Sequence, residues 1–221
     1  MSDGLRFLMD GVVNESTSLS RVCAAIADLA AMEPPHWKAH PLGFFLWECG
    51  SIGRASLRFH MWDPESFDPI AHSPYHDHVW LLNSLILAGA ITNVTYDAVV
   101  SSDGTYHEGK IAQHHDTDAV SYGGPRLELR ELNRRTYRAG DRYELQPAIV
   151  HNSEFDQSMI SCTLVRSVSI LNRGPRTFAP ITAKDHAPAR SLLTEQDSHA
   201  RTQMAFNAIG ELVRTTRDKP Q

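Results

Sequence analysis

The stretch HSPYHDHVW (residues 72–80), read with GDRYELQPAIVH (residues 140–151), decides how this chain folds. On a strand, residues two apart point to the same face. His76 and His78 therefore present two imidazoles to one side. An apolar run follows, and then Gly89, where the chain turns into another β-like run. Downstream, Gly140-Asp141 reads as a turn, Pro147 fixes the approach to a strand, and His151 follows. An HxH pair met by a distant His from a third strand is how a small β-barrel holds one transition-metal ion.

The surroundings fit a barrel. From Leu42 to Leu171 the chain is a series of short β-like runs broken by Gly, Pro, Asn and Asp. The runs are 42–49, 54–62, 78–88, 90–101, 126–137, 142–146 and 160–171. In the last, Ile160, Cys162, Leu164, Val168 and Ile170 alternate with Ser161, Thr163, Ser167 and Ser169, a period of two. Residues 103–125 are polar and glycine-bearing and read as a long loop or flap. Residues 172–190, rich in Pro, are expected to wrap the barrel surface. Two helices flank the barrel. Over 18–32, Leu19, Val22, Cys23, Ile26, Leu29 and Ala30 recur at helical spacing, and Pro34-Pro35 stops the run. Over 194–214, Met204, Ala208, Ile209, Leu212 and Val213 form one apolar stripe.

Composition excludes several classes. With 221 residues and 42% apolar content, the chain builds one core, and residues 1–221 are read as a single domain. The net charge of −5 is spread along the chain, with no basic stripe for nucleic acid. The absence of a long apolar run or a charged-then-apolar leader points to a soluble cytoplasmic protein with no membrane partner. Cys23, Cys49 and Cys162 are widely spaced and read as buried free thiols in a reducing compartment.

The spacing of the two stretches resembles the cupin family, whose first motif begins with HxH and ends in Gly and whose second runs from Gly through Pro-x-Gly to His. Gly89, Gly140, Pro147 and His151 fit. Leu82 and Asn83 stand where the first motif carries Glu, and Ile149 stands where the second carries Gly. The donor set is then three His without an acid. Among cupins this is similar to the thiol dioxygenases, cysteine dioxygenase above all. An alternating strand ending in Trp62 leads to HDH in the same way, and the likeness covers roughly residues 50–170. The resemblance implies a mainly β fold, a cupin-type double-stranded β-helix or jelly-roll barrel with N- and C-terminal flanking helices, the barrel lying at about 42–171. It departs at the substrate. Phe44 stands where those enzymes carry a carboxylate-gripping Arg. Arg166 stands near the His of their Ser-x-His-x-Tyr triad, and the Tyr is missing. Free cysteine is therefore not the implied substrate.

The chemistry expected is that of a mononuclear non-haem iron oxygenase, with His76, His78 and His151 as metal ligands. Three neutral imidazoles leave an ion doubly charged with open positions, which suits Fe(II) binding a small-molecule substrate beside O2. Zn, Ni or Mn could occupy the same ligands. A metal-dependent isomerase, lyase or decarboxylase, or a non-catalytic effector-binding barrel, are the alternatives. Asp77 alternates away from the ligands and is a poor acceptor for their second ring nitrogens. Arg166 could orient an anionic substrate or pair with Glu154 or Asp156. His72 is expected at the rim, and His114-His115-Asp116 in a solvated flap. Arg58 and His60 are expected on a solvated or dimer-contact face, with the pocket as the alternative, and Arg126, Arg130, Arg134, Arg135 and Arg138 on an ion-paired outer face. A homodimer is possible by analogy.

Overall fold

The computed structural model describes residues 2–66, 74–114, 117–187 and 191–217. In chain order the elements are α1 (Ser2–Val13), α2 (Leu19–Met32), β1 (Trp37–His40), β2 (Phe44–Ile52), β3 (Ala55–Trp62), β4 (Tyr75–His76), β5 (Trp80–Ala88), β6 (Ala90–Val100), β7 (Tyr106–His114), β8 (Thr117–Arg138), β9 (Arg142–Leu145), β10 (Val150–Phe155), β11 (Ser161–Ser169), β12 (Arg176–Pro180) and α3 (Glu195–Arg217).

All strand pairs are antiparallel. One sheet runs β1-β2-β3-β11-β5-β9; the other runs β10-β4-β12-β7-β8-β6 and closes on itself. The order β3-β11-β5-β9, faced by β4-β10-β6-β8, is that of a jelly roll. The fold is thus mainly β, a jelly-roll barrel of two antiparallel sheets with flanking helices.

Alternation along the first sheet divides its two faces. Leu57, Phe59, Cys162 and Leu164 point outward and join one core with Leu8 of α1, Val22 and Ile26 of α2, and Ala205 and Ile209 of α3. Leu46, His60, Thr163 and Val165 point inward, toward a cavity between the sheets. Two polar ties lock α3 onto the barrel: Trp37 Nε1 donates to Thr202 Oγ1 at 3.0 Å, and Arg201 pairs with the buried Asp63. At the start of α3, Thr194 Oγ1 accepts from the Asp197 N–H at 3.1 Å and donates to its carboxylate, a cap on the first turn. The three cysteines are free and buried, and burial pushes the Cys23 thiol up to about 11.

Gly89 closes the β5–β6 hairpin at φ 70°, and a Cβ there would stand 2.4 Å from Ser161 Oγ and 2.6 Å from the Ile160 carbonyl. No other residue fits so close an approach to β11.

Three sequence expectations are corrected. Residues 2–13 form α1, which the sequence reading does not assign. Gly4 and Gly11 each cost it about 1 kcal/mol of helix propensity, and the burial of Leu5, Leu8, Met9 and Val12 against the sheet offsets them. The flap expected over 103–125 is the β7–β8 hairpin, whose strands pair from Tyr106–Leu127 to His114–Thr117. Ladder hydrogen bonds hold this polar stretch where hydrophobic alternation is weak. Residues 172–190 contribute β12, which pairs with β4 and β7, so the barrel strands span Trp37–Pro180 and not 42–171.

Candidate metal centre

β4 and β10 pair at a single register, His76 opposite His151. His78 lies between β4 and β5, with its carbonyl held by the Ala148 N–H at 2.8 Å. Ala148 adopts φ 66°, a conformation that costs a residue with a Cβ about 1–2 kcal/mol. The motif's usual Gly is replaced by Ile149, and the left-handed residue falls one position earlier, on the turn that joins the two halves of the site.

The three imidazoles converge. Ring centroids are 4.3 Å apart for His76–His151 and 4.8 Å for both His76–His78 and His78–His151. One ring nitrogen from each lies within 4.8 Å of the others. His76 Nδ1 is 2.8 Å from the Pro74 carbonyl, and His151 Nδ1 is 3.2 Å from the Ile149 carbonyl. A carbonyl only accepts, so these Nδ1 atoms carry the protons and the Nε2 lone pairs are left for an ion. Trp80 stacks on His78 at 4.8 Å, 20° from parallel, and fixes that ring. The backbone thus supplies acceptors that Asp77 does not. Its carboxylate, fully buried, turns to Arg173 and Arg176, each at 2.7 Å.

Burial is the main cause lowering all three imidazole pKa values. His78 lies well below the ordinary 6.5, pushed further by the neighbouring His76, His151, Arg58 and His60 charges. His151 lies well below it too, with His76 as the second cause. His76 is lowered against the opposing pull of the Pro74 carbonyl and Asp77. The rings are therefore neutral, competent ligands at neutral pH.

The sign of the stability effect follows. Below pH 6.5 the unfolded chain takes up protons on these histidines while the folded one resists, so the unfolded state binds more protons. Metal-free protein is expected to lose stability as pH falls from 6.5 toward the depressed folded values, and to be insensitive to these groups above it. Urea unfolding of the apo-protein at pH 7.5, 6.5 and 5.5 checks this. Conversion of all three histidines to Asn should flatten the profile.

The histidines line a cavity of about 480 Å³ between the sheets, within the range of small-molecule sites. One wall is aromatic: Phe44 stacks on His40 at 4.2 Å and meets Trp62 at 5.2 Å and His60 at 4.7 Å. Ile111, Val120 and Tyr122 of the β7–β8 hairpin form part of another wall.

Arg58 and His60, expected on a solvated or dimer face, line this cavity, and the Arg58 guanidinium lies 5.3 Å from the Trp80 ring centroid. The reason is alternation: Leu57, Phe59 and Met61 are buried under the helices, which turns Arg58, His60 and Trp62 inward. Arg166, expected as a substrate anchor, is not among the lining residues. It shares the outward register of Cys162 and Leu164, and its guanidinium donates to Asn83 Oδ1 at 3.2 Å, not to Glu154 or Asp156. Glu154 is taken instead by Arg134 at 2.6 Å, within the ion-paired outer face expected for 126–138. His72, His115 and Asp116 lie outside the described residues, as does the His114 side chain.

No protein-family profile matches the chain, and no curated protein matches it. Among solved structures, the hydroquinone 1,2-dioxygenase PnpCD, in complex with Cd2+ and 4-hydroxybenzonitrile, is similar over 65% of this chain and 70% of that one. The identity is 10% and the TM-score 0.36.

Proposed function

We propose that this chain is a mononuclear non-haem iron oxygenase of a small molecule, with His76, His78 and His151 as the metal ligands. The observation that carries the reading is the donor set: three imidazoles, with no carboxylate in the cluster among the described residues, at the wall of a cavity of small-molecule size. When bound there, Fe(II) supplies open coordination positions at which a chelating substrate and O2 meet.

The chain's own residues do the rest. The Pro74 and Ile149 carbonyls hold two Nδ1 protons and aim the Nε2 atoms. Phe44, Trp62 and Trp80 line part of the cavity with apolar surface, and a less polar surrounding strengthens polar contacts made beside it. The same three ligands suit Zn(II), so a Lewis-acid isomerase, lyase or decarboxylase is the second reading.

Metal analysis of protein purified without added metal is expected to find about one iron per chain. The Fe(II)-loaded protein should bind nitric oxide, an O2 surrogate, with a high-spin electron paramagnetic resonance signal. Stoichiometric zinc or nickel on isolation, with no nitric oxide signal after iron loading, would overturn the oxygenase in favour of the Lewis acid. A protein that takes up no metal would leave an effector-binding barrel.

A further inference from the structure

The strand register sets a tyrosine in the same row as the histidine cluster. Across the second sheet, His151 stands opposite His76, His76 opposite Thr177, Thr177 opposite Gly109, and Gly109 opposite Tyr122. Residues directly opposite one another share a face. His76 and His151 point into the cavity, so Tyr122 on β8 points into it too and forms part of its wall. Neighbouring strands lie about 4.8 Å apart, so three spacings put the Tyr122 backbone on the order of 14 Å along the sheet from that of His76. Between them stand a threonine and a glycine.

Gly109 decides which way the phenol leans. A Cβ at Gly109 would stand 2.6 Å from Tyr122 Cε1, 2.8 Å from Tyr122 Cδ1 and 2.7 Å from Thr177 Cγ2. The tyrosine ring therefore lies over Gly109 and approaches the threonine methyl, on the His76 side of its own strand. The His186 ring stacks on it at 5.8 Å, 21° from parallel, and the Tyr122 N–H donates to Asp185 Oδ1 at 2.9 Å. The Thr177 hydroxyl is already used, donating to the Tyr75 carbonyl at 3.1 Å. Among the described residues, no protein acceptor meets the Tyr122 hydroxyl. Burial and the Asp185 charge push its pKa above the ordinary 10.0, so the phenol keeps its proton and serves as a donor.

We propose that Tyr122 contacts the substrate: its phenol O–H donates to an oxygen of a molecule whose other end is bound at His76, His78 and His151. The substrate is then two-ended, with a metal-binding heteroatom at one end and an oxygen acceptor at the other. This rests on the metal-centre reading above and adds the second anchor. Gly109 is a positioning residue, because a side chain there would push the phenol off this line.

The test uses the Co(II)-loaded protein and thiols, because a thiolate on Co(II) produces an absorption band that reports its binding. Thioglycolate, 3-mercaptopropionate and 4-mercaptobutyrate offer sulfur to the metal and a carboxylate at increasing distance from it. Alkanethiols of matched length offer the sulfur alone. In Tyr122→Phe at least one of the acids is expected to bind about tenfold more weakly, the scale of one hydrogen bond to a charged acceptor. Its matched alkanethiol and the cobalt content should be unchanged, and the acid most affected reads out the distance from metal to phenol. Gly109→Ala keeps the phenol but displaces the ring, and it should lose the same preference for the acid.

Acid affinities unchanged in Tyr122→Phe, or an equal loss for acids and alkanethiols, would overturn the contact. A Gly109→Ala protein that keeps the full acid preference would overturn the positioning role. Failure of wild-type protein to take up Co(II) would sink the metal-centre reading and this inference with it, whereas normal uptake without a Tyr122-dependent acid preference would sink this inference alone.

Discussion

His78→Ala is expected to abolish stoichiometric metal binding while the chain stays folded. Of the three histidines, His78 is the one without a strand of its own: it lies between β4 and β5, positioned by the Ala148 N–H on its carbonyl and by Trp80 against its ring. Removing it leaves two imidazoles, His76 and His151, on one side of any bound ion. Loss of an outer hydrogen-bond partner of a metal ligand already costs about 10–100-fold in affinity. Loss of the ligand itself should exceed that, and the ion should not survive dialysis. The fold should persist, because the imidazole lines the cavity and is not part of the packed apolar core. Elemental analysis after dialysis, beside a circular dichroism melt, measures both. Undiminished metal content in this variant would remove the site.

Asp77→Ala is expected to lower both stability and metal affinity. Asp77 separates the two histidines of the HxH pair, is fully buried, and accepts from the Arg176 backbone N–H at 2.8 Å as well as from the Arg173 and Arg176 guanidinium groups. Arg176 in turn reaches Glu108 at 2.9 Å, so one carboxylate ties β4 to β12 and β7. Breaking a buried ion pair typically costs about 3–5 kcal/mol. Here the arginines are partly exposed, 34% and 29%, and water can rescue them. The loss should therefore be about 2–3 kcal/mol, a Tm lower by about 4–12 °C for a chain of this length. The ligand loop should loosen too, with metal affinity falling about 10–100-fold. Arg173→Ala should be milder, since Arg176 keeps its hold on Asp77. A Tm and a metal affinity both unchanged in Asp77→Ala would show that the network does not brace the site.

Most barrel strands were legible because period-two alternation is a local signal. In β11, Cys162 and Leu164 alternate with Thr163 and Val165 whatever surrounds them. What alternation does not say is which face is inside. β3 carries Leu57, Phe59 and Met61 on one face and Arg58, His60 and Trp62 on the other, and both faces are covered, one by helices and one by the opposing sheet. An apolar face reads as the barrel interior, and here it is the helix-covered exterior. That inversion moved Arg58 and His60 into the cavity and Arg166 out of it. The same argument, applied with α1 in view, could have found them. α1 was missed because two glycines weaken a short helix whose stability comes from contact.

Read by itself, the sequence located β2, β3, β5, β6, β8, β9 and β11, two flanking helices and the three histidines. HxH on an extended chain puts two imidazoles on one side, and the glycine and proline turns place a third nearby. Only the tertiary structure decided the cavity around them. The register of β3 against β11 brings Thr163 beside His60, and the closure of the second sheet brings His151 opposite His76. Both depend on strand pairing between residues far apart in the chain, and no local pattern encodes which strand a given residue will meet.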